Sequence, residues 1–307
     1  MNKKIIIVGS SNTDMIIKAP RIPKPGETIL GGDFTTASGG KGANQAVAAA
    51  RAGGEVIFVA CVGDDVFGSQ AVKSFQKDRI DTRFVKVDPE SPSGVALIFV
   101  DDEGENSIAV ASGANAKLFP GDIRSAKSIF TDAAVMVAQL ETPMDTIREA
   151  ILLAYDHHVT TVLNPAPAQL LDDELLKHIS ILTPNETETE LLTGVHVDSE
   201  STAKQAAVKL MAKGIETVII TMGPQGSFVA NGGDFYMVPG FKVKAVDTTA
   251  AGDVYNGALA VALSAGEKLY DAVVFASAAA ALSVTKLGAQ PSAPVKEEIE
   301  AFLKNNN

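Results

Sequence analysis

The chain has 307 residues, enough for one large α/β core or for two domains at roughly 150 residues each. Hydrophobic residues make up 46% and charged residues 21%, an ordinary globular balance that leaves little room for a long disordered tail. Lys and Arg number 26 against 37 Asp and Glu, a net charge of −11 with no basic stripe, which argues against nucleic-acid binding.

Near the N-terminus, Asn2-Lys3-Lys4 precedes a short apolar run, 5–8, that ends at Gly9. The run is too short for a secretory signal and reads as a first strand. Similar continuous runs recur at 56–62, 135–138, 159–163, 179–182 and 218–221, with helix-length segments between them. Continuous rather than alternating apolar runs mean strands covered on both faces. The fold class is therefore α/β, a doubly wound, mainly parallel sheet flanked by helices. The intervening helices show a matching small-residue period, at Ala46, Ala49, Ala50 and Gly53 and at Ala258, Val261, Ala262 and Ala265. The lone cysteine, Cys61, lies inside the 56–62 run, which excludes an internal disulfide and reads as a core thiol. No stretch, 272–284 included, reaches the about 18 apolar residues of a membrane span. The expectation is a soluble cytoplasmic protein with no membrane partner.

Two regions break the rhythm. Residues 28–36 and 94–111 look strand-like without an intervening helix, and Asp101-Asp102-Glu103-Gly104-Glu105 reads as a hairpin turn. The chain is thus expected to form a single α/β domain over 1–307, with a small β-sheet lid contributed by about 13–36 and 93–112. Such a lid can cover the crevice at the strand ends, where open sheets bind ligands. The Asn305-Asn306-Asn307 tail is expected to fray.

The first polar cluster, Gly9-Ser10-Ser11-Asn12-Thr13-Asp14, follows the first strand, so Asn12 and Asp14 fall at its carboxyl end; Asp14 reads equally as a turn residue. No G-x-G-x-x-G follows, which leaves a dinucleotide-binding dehydrogenase unsupported. Next, Ser38-Gly39-Gly40-Lys41-Gly42-Ala43-Asn44-Gln45 opens a small-residue helix. Its glycines permit close backbone approach to a ligand, and Asn44 offers both donor and acceptor. The segment is not a P-loop, since Gly42 stands where Ser or Thr would hold the metal. A plain strand-to-helix turn accounts for it equally well.

Three later segments put polar groups after apolar runs. Gln139-Leu140-Glu141 places Glu141 at a strand end, and Thr221-Met222-Gly223-Pro224-Gln225-Gly226 is a glycine-bounded turn. Between them, Asn185 and Glu188 share one face of a helix start and suit the water shell of Mg²⁺, although a capping role for Asn185 fits the same spacing. The densest signal is Asp247-Thr248-Thr249-Ala250-Ala251-Gly252-Asp253 ahead of a helical pattern. Small residues leave the first N–H groups of that helix unobstructed, an anion site, and Asp253 beside it suits a base that accepts a hydroxyl proton. The competing reading has Asp253 cap the helix and the alanines pack. The four histidines, His157, His158, His178 and His196, lack metal spacing.

Taken together, these segments resemble the ribokinase family, within the PfkB-type carbohydrate kinases, nearly end to end. Carrying the likeness are Gly39-Gly40-Lys41-Gly42-Ala43-Asn44-Gln45-Ala46, Asn164-Pro165-Ala166-Pro167-Ala168, Thr183-Pro184-Asn185-Glu186-Thr187-Glu188, the 247–253 segment and Gly288-Ala289-Gln290-Pro291-Ser292. The resemblance implies ATP-dependent phosphorylation of D-ribose at its primary hydroxyl. Asp253 would be the base, and Ala250, Ala251 and Gly252 the anion hole. Asn12, Thr13, Asp14, Gly40, Lys41, Gly42, Ala43, Asn44 and Glu141 would surround the sugar. The nucleotide would lie along Asn185, Thr221, Met222, Gly223, Pro224, Gln225, Gly226, Gly252 and Ser277, with Asn185 and Glu188 organising Mg²⁺ through water. A potassium ion would take ligands from Asp247, Thr249, Ser283, Lys286, Gly288 and Ser292, several through backbone carbonyls. Family members also pair through their lids, so a homodimer is expected. Ser277 stands where a bulkier His or Asn often lines the adenine pocket, and Thr249 where an apolar residue is common. A kinase for deoxyribose, fructose or a nucleoside is the neighbouring expectation, and a non-catalytic sugar sensor the more distant one.

Overall fold

Within the first apolar run, Ile5 and Ile7 enter one buried cluster while Ile6 and Val8 enter another. Strand β1 (Lys4–Val8) is therefore covered on both faces, which is why its sequence is apolar without alternation. The structure, a computed structural model, describes residues 4–30, 32–103 and 105–306. After β1 come β2 (Asn12–Lys18), β3 (Asp33–Gly39), β4 (Val56–Gly63), β5 (Asp81–Asp88), β6 (Gly94–Val100) and β7 (Asn106–Ala111). They are followed by β8 (Ala133–Ala138), β9 (Thr160–Leu163), β10 (Ile181–Leu182), β11 (Thr217–Thr221), β12 (Gly226–Asn231) and β13 (Asp234–Pro239).

Nine strands form one sheet in the order β13-β12-β11-β10-β9-β8-β1-β4-β5. Pairing is parallel from β11 through β5, and the β12–β13 hairpin continues the sheet antiparallel at one edge. The expected doubly wound α/β architecture is present. Its order reverses at β1, whose neighbours are β8 and β4, and such a reversal opens a crevice at the carboxyl ends of the strands. Helices Lys41–Arg51, Ala251–Ser264 and Leu269–Ser283 supply one covering layer, through Ala43, Ala46, Val254, Ala258 and Ala276. The opposite layer includes Met144–Asp156 and Glu200–Met211. Two helix-face expectations shift. Gly53 lies beyond the first helix at a φ of 96°, and Ala265 is the exposed residue that closes the Ala251–Ser264 helix.

A second sheet of four strands, β3-β2-β6-β7, is separate from the first. Strand β2 leaves β1 across only three residues, so this sheet stands over the carboxyl end of β1. Residues 28–30 are not in a strand; the pairing segment is Asp33–Gly39, later than the 28–36 expectation. The β6–β7 turn is held by the Asp101 carboxylate, which accepts the N–H groups of Glu103 (3.0 Å) and Glu105 (2.9 Å); Gly104 lies outside the described residues. At the C-terminus the final helix runs through Asn305 and Asn306, contrary to the expected fraying, while Asn307 lies outside the described residues.

Candidate functional site

The carboxyl ends of β1, β8, β9, β10 and β11 lie along one edge of the sheet, so the polar groups that follow them converge. Asn12 and Asp14 alternate along β2 onto one face. Thr13 lies between them and points to the other face, so its side chain is not brought to the site. Asn12 is fixed by Asn115, whose Nδ2 donates to Asn12 Oδ1 at 2.7 Å and whose Oδ1 accepts the Ser11 N–H at 2.8 Å. The Asp14 carboxylate has no hydrogen-bond donor among the described residues, and its oxygens remain free for a ligand. Burial, with the charges of Glu141 and Asp253 nearby, pushes its pKa up to about 6.

Helix Lys41–Arg51 begins at Gly40, which supplies no side-chain cap. Instead Glu141, at the end of β8, accepts the Lys41 N–H at 3.0 Å and the Ser10 hydroxyl. The glycines here serve the close approach of protein segments to one another. A Cβ on Gly42 would lie 2.6 Å from the Gly9 carbonyl carbon, and one on Gly40 would lie 2.7 Å from the Asn12 nitrogen. Gly40 also has a φ of 88°, which side chains disfavour. These contacts press the helix start against the end of β1, with Lys41 N–H on Glu141 and Asn44 reaching Asp253. Ala43 is wholly buried and contributes packing, not a polar contact.

Asp253 sits in the first turn of helix Ala251–Ser264 and is only 5% exposed. Its Oδ2 accepts from Asn44 Nδ2 at 2.9 Å and its Oδ1 from Gln45 Nε2 at 3.0 Å. Burial pushes this carboxyl above the usual range; Lys41, Asn44 and Gln45 pull it back, and Glu141 pushes it up. The Oδ1 of Asn44 is buried without a partner, an acceptor left over for a ligand hydroxyl. Ala250 precedes the helix in the left-handed region, with a φ of 59°. The Ala251 N–H is tied to Thr248 O at 3.2 Å, which leaves the next first-turn donors, on Gly252 and Asp253, without an intrahelical partner. A Cβ on Gly252 would meet no protein atom within 4 Å. Protein packing thus does not require this glycine, and the space above it is open to an anion.

That space opens into a cavity of about 680 Å³. Of the expected nucleotide residues, Asn185, Thr221, Gly223, Pro224, Gly226, Gly252 and Ser277 line it. Met222 and Gln225 do not. The Met222 side chain is in the hydrophobic core, and Gln225 is exposed outside the cavity. Sequence reasoning missed Ser227, Phe241, Lys242, Val243 and Tyr255 in the walls. Phe241 to Val243 carry no motif, and Tyr255 hid one turn of helix from Gly252. The Tyr255 hydroxyl and the Ser277 Oγ are buried without hydrogen-bond partners.

Asn185 and Glu188 form a capping box. Asn185 Oδ1 accepts the Glu188 N–H at 2.8 Å, and the Glu188 carboxylate accepts the Asn185 N–H at 2.9 Å and Nδ2 at 3.2 Å. The capping reading of Asn185 is therefore realised. Glu188 is nonetheless buried, which pushes its carboxyl up against the Asn185 N–H and the Lys41 charge. Asp247 ties two loops together by accepting the N–H groups of Thr249 (2.9 Å) and Gly288 (2.8 Å). Burial would raise its pKa, but these donors hold it below the usual carboxylate range. Ser283 and Ser292, both buried, donate to the Ala280 and Ala289 carbonyls, so their oxygens keep free lone pairs. The Lys286 ammonium turns away to Glu298, leaving only its backbone for a cation. Cys61 is buried, its thiol pushed up to about 11 by burial. Among the described residues, no group of three His, Cys, Asp or Glu could hold a metal on its own, and no helix is long and apolar enough to cross a membrane.

The sequence profile of the pfkB family carbohydrate kinases matches residues 2–296. The chain belongs to this family. It is 46% identical to the ribokinase of Haemophilus influenzae over 305 residues, 99% of this chain and 100% of that one. It is 38% identical to the deoxyribokinase of Salmonella typhi over 303 residues, 98% and 99% of the two chains. The solved structure of Arabidopsis thaliana ribokinase complexed with ribose and ATP matches it with a TM-score of 0.94 at 31% identity, over 99% of both chains.

Proposed function

We propose that this protein is an ATP-dependent ribokinase, transferring the γ-phosphoryl group of ATP to O5 of D-ribose to give D-ribose 5-phosphate and ADP. The observation that carries the reading is the placement of Asp253, buried between the polar cluster at the ends of β1 and β8 and the open space above Gly252. Asn12, Asp14, Asn44 and Glu141 hold the sugar hydroxyls, with Gly40, Lys41 and Gly42 as backbone. The Asp253 carboxylate accepts the O5 proton as O5 forms its bond to the γ-phosphorus; the bond from that phosphorus to the bridging oxygen breaks, and ADP leaves with the electron pair. The N–H groups of Gly252 and Asp253 face the charge on the transferring group, in the segment opened by Ala250 and Ala251.

The nucleotide occupies the 680 Å³ cavity along Thr221, Gly223, Pro224, Gly226 and Ser277. Mg²⁺ fits a donor set of few protein groups because it keeps most of its water shell. Asn185, in the cavity wall, and the buried Glu188 behind it would hold that shell, and the ion would neutralise phosphate charge. Potassium fits the hard oxygen donors gathered by Asp247 across the Thr249 and 283–292 segments. Asp247, Thr249, Ser283, Lys286, Gly288 and Ser292 would be its ligands, several through carbonyls.

The chain works as one kinase domain whose lid, residues 13–36 and 93–112, closes over the sugar and excludes water as a competing acceptor. The lid's outer face supports a homodimer. Phe34 is 60% and Leu97 50% exposed there, beside Met15, Ile17 and Phe99 in register, an apolar surface that pairing would cover. The cytoplasm, where ATP and potassium are abundant, is the fitting compartment.

The test is ADP release from Mg-ATP with potassium, across D-ribose, 2-deoxyribose, fructose, adenosine and no sugar. Ribose-dependent turnover well above the rest is expected. Preference for 2-deoxyribose would move the specificity by one hydroxyl, and binding of ribose without turnover would replace the kinase with a sensor. Asp253→Asn should leave ribose binding intact and lower kcat by about two to four orders of magnitude, the range of a lost general base.

A further inference from the structure

We propose that Gln45 is a positioning residue for phosphoryl transfer: a buried chain of donors, Gln139 to Gln45 to Asp253, fixes the carboxylate and links it through Asn164, Thr183 and Asn256 to the Gly252 carbonyl. The inference deepens the ribokinase reading and rests on Asp253 as the base.

Two backbone carbonyls, which can only accept, set the direction of the whole chain. Asn256 Nδ2 donates to Gly252 O at 2.8 Å, so its Oδ1 is the acceptor for the Thr183 hydroxyl at 2.7 Å. Asn164 Nδ2 donates to Thr183 O at 3.2 Å, so its Oδ1 faces Gln45 Nε2 at 3.1 Å. The Gln45 amide is thereby oriented with its nitrogen toward Asp253, and Gln139 Nε2, 2.7 Å from Gln45 Oε1, locks it from behind. Gln45 can offer Asp253 only a donor. With Asn44 on the other oxygen, the carboxylate is held at both ends. Its remaining lone pairs are left to the incoming hydroxyl.

Nothing in the surrounding packing asks for these amides. Gln45, Gln139, Asn164, Thr183 and Asn256 are all buried, and Gln45 shares its helix with the core residues Ala43, Ala46, Val47 and Ala49. An apolar side chain would fill the Gln45 position without the cost of desolvating an amide. The chain spans the ends of β8, β9 and β10 and both flanking helices. Any shift of Asp253 is thus coupled to the turn whose N–H groups form the anion site.

Gln45→Met tests this. The charged groups acting on Asp253 are Lys41, Glu141, Asp14 and Glu188, and all remain in the variant. Loss of one donor to the carboxylate should move the acid limb of the kcat–pH profile upward by about one unit. kcat at neutral pH should fall about tenfold through misplacement, with KM for ribose changed less than kcat. A merely structural glutamine would lower thermal stability and leave the acid limb in place. Gln139→Met, which frees Gln45 to turn its oxygen toward Asp253, should move the limb in the same direction by less, and it carries the test if Gln45→Met fails to fold. Wild-type acid limbs in the folded variants overturn the positioning role. If Asp253→Asn abolishes turnover in that same series, the base reading survives that failure; if Asp253→Asn turns over normally, the base reading itself falls and the inference with it.

Discussion

Asp14 gives the most direct physical test of the sugar site, because its carboxylate is held in a position that favours the ligand over the fold. Its pKa is pushed from the ordinary 3.8 up to about 6 by burial and by the Glu141 and Asp253 charges. A native pKa above the unfolded one means that the folded state binds the proton more tightly. The associated stability is fully present below pH 3.8 and is lost as pH rises through about 6. At about 1.4 kcal/mol per pKa unit, the rise costs the native state at most about 3 kcal/mol at pH 8, and about 1–2 kcal/mol after allowance for partial solvent screening. Asn at this position carries no charge to desolvate. In urea denaturation without ligand, Asp14→Asn should match the wild type at pH 4 and exceed its stability by about 1–2 kcal/mol at pH 8. The same variant should lose about ten- to hundredfold in kcat/KM for ribose, the range for a hydrogen bond to a charged group. Saturating ribose should narrow the stability difference, since it stabilises the wild type more. A difference that is constant between pH 4 and pH 8, or a variant less stable at pH 8, would refute the reasoning.

Three further outcomes are expected. Turnover should rise several-fold when potassium replaces sodium, and Asp247→Ala, which unties the Thr249 and Gly288 loops, should abolish that dependence; equal rates in the two salts contradict the cation site. At micromolar concentration the protein should scatter with a dimer's mass, and Phe34→Glu with Leu97→Glu should reduce it to a monomer's, whereas a monomeric wild type would contradict the lid interface. A Cβ on Gly257 would lie 2.7 Å from Gln45 O and 2.8 Å from the Ala48 Cβ, so Gly257→Ala must part the two helices that hold Asp253. It should cost about 1–3 kcal/mol in urea denaturation and lower kcat, and a variant of wild-type stability and rate would show that the helices tolerate the separation.

The parts of the fold that were legible from residue order are those where burial is two-sided. All six apolar runs became strands of the large sheet because Ile6 and Ile7, or Val137 and Ala138, each face a covering layer. Strand β5, Asp-Thr-Arg-Phe-Val-Lys-Val-Asp, escaped notice because it is an edge strand, and its charged, alternating sequence is what an unpaired edge requires. The β12–β13 hairpin escaped for a related reason, since β13 at the other edge is only partly buried and lacks a continuous run. In the site, Asn12, Asp14, Asn44, Glu141 and Asp253 were legible as unusual polar residues at strand ends and helix starts. Ser10, Gln45, Gln139 and Asn164 were not, although each lies within a quoted motif. An amide's role depends on which end of it faces which neighbour, and that direction exists only once β8, β9 and β10 are side by side.

The same contrast separates the two halves of the site. On the side proposed for the sugar, Asn44, Gln45 and Glu141 each make contacts that pin Asp253 or the helix start, while Asp14 and the Asn44 Oδ1 keep acceptors free. On the side proposed for the nucleotide, the cavity is lined by Gly223, Gly226, Gly240 and Gly252 together with apolar walls such as Phe241, Val243 and Ala280. Where the reacting hydroxyl must be aimed, preorganised dipoles reduce the reorganisation needed at the moment of transfer. Where a phosphate chain must enter and ADP must leave, open backbone and weak apolar contact suit turnover better than a tight set of side-chain bonds. The helix Ala251–Ser264 joins these demands, because Asp253 lies one residue beyond the glycine whose missing side chain keeps the anion space open.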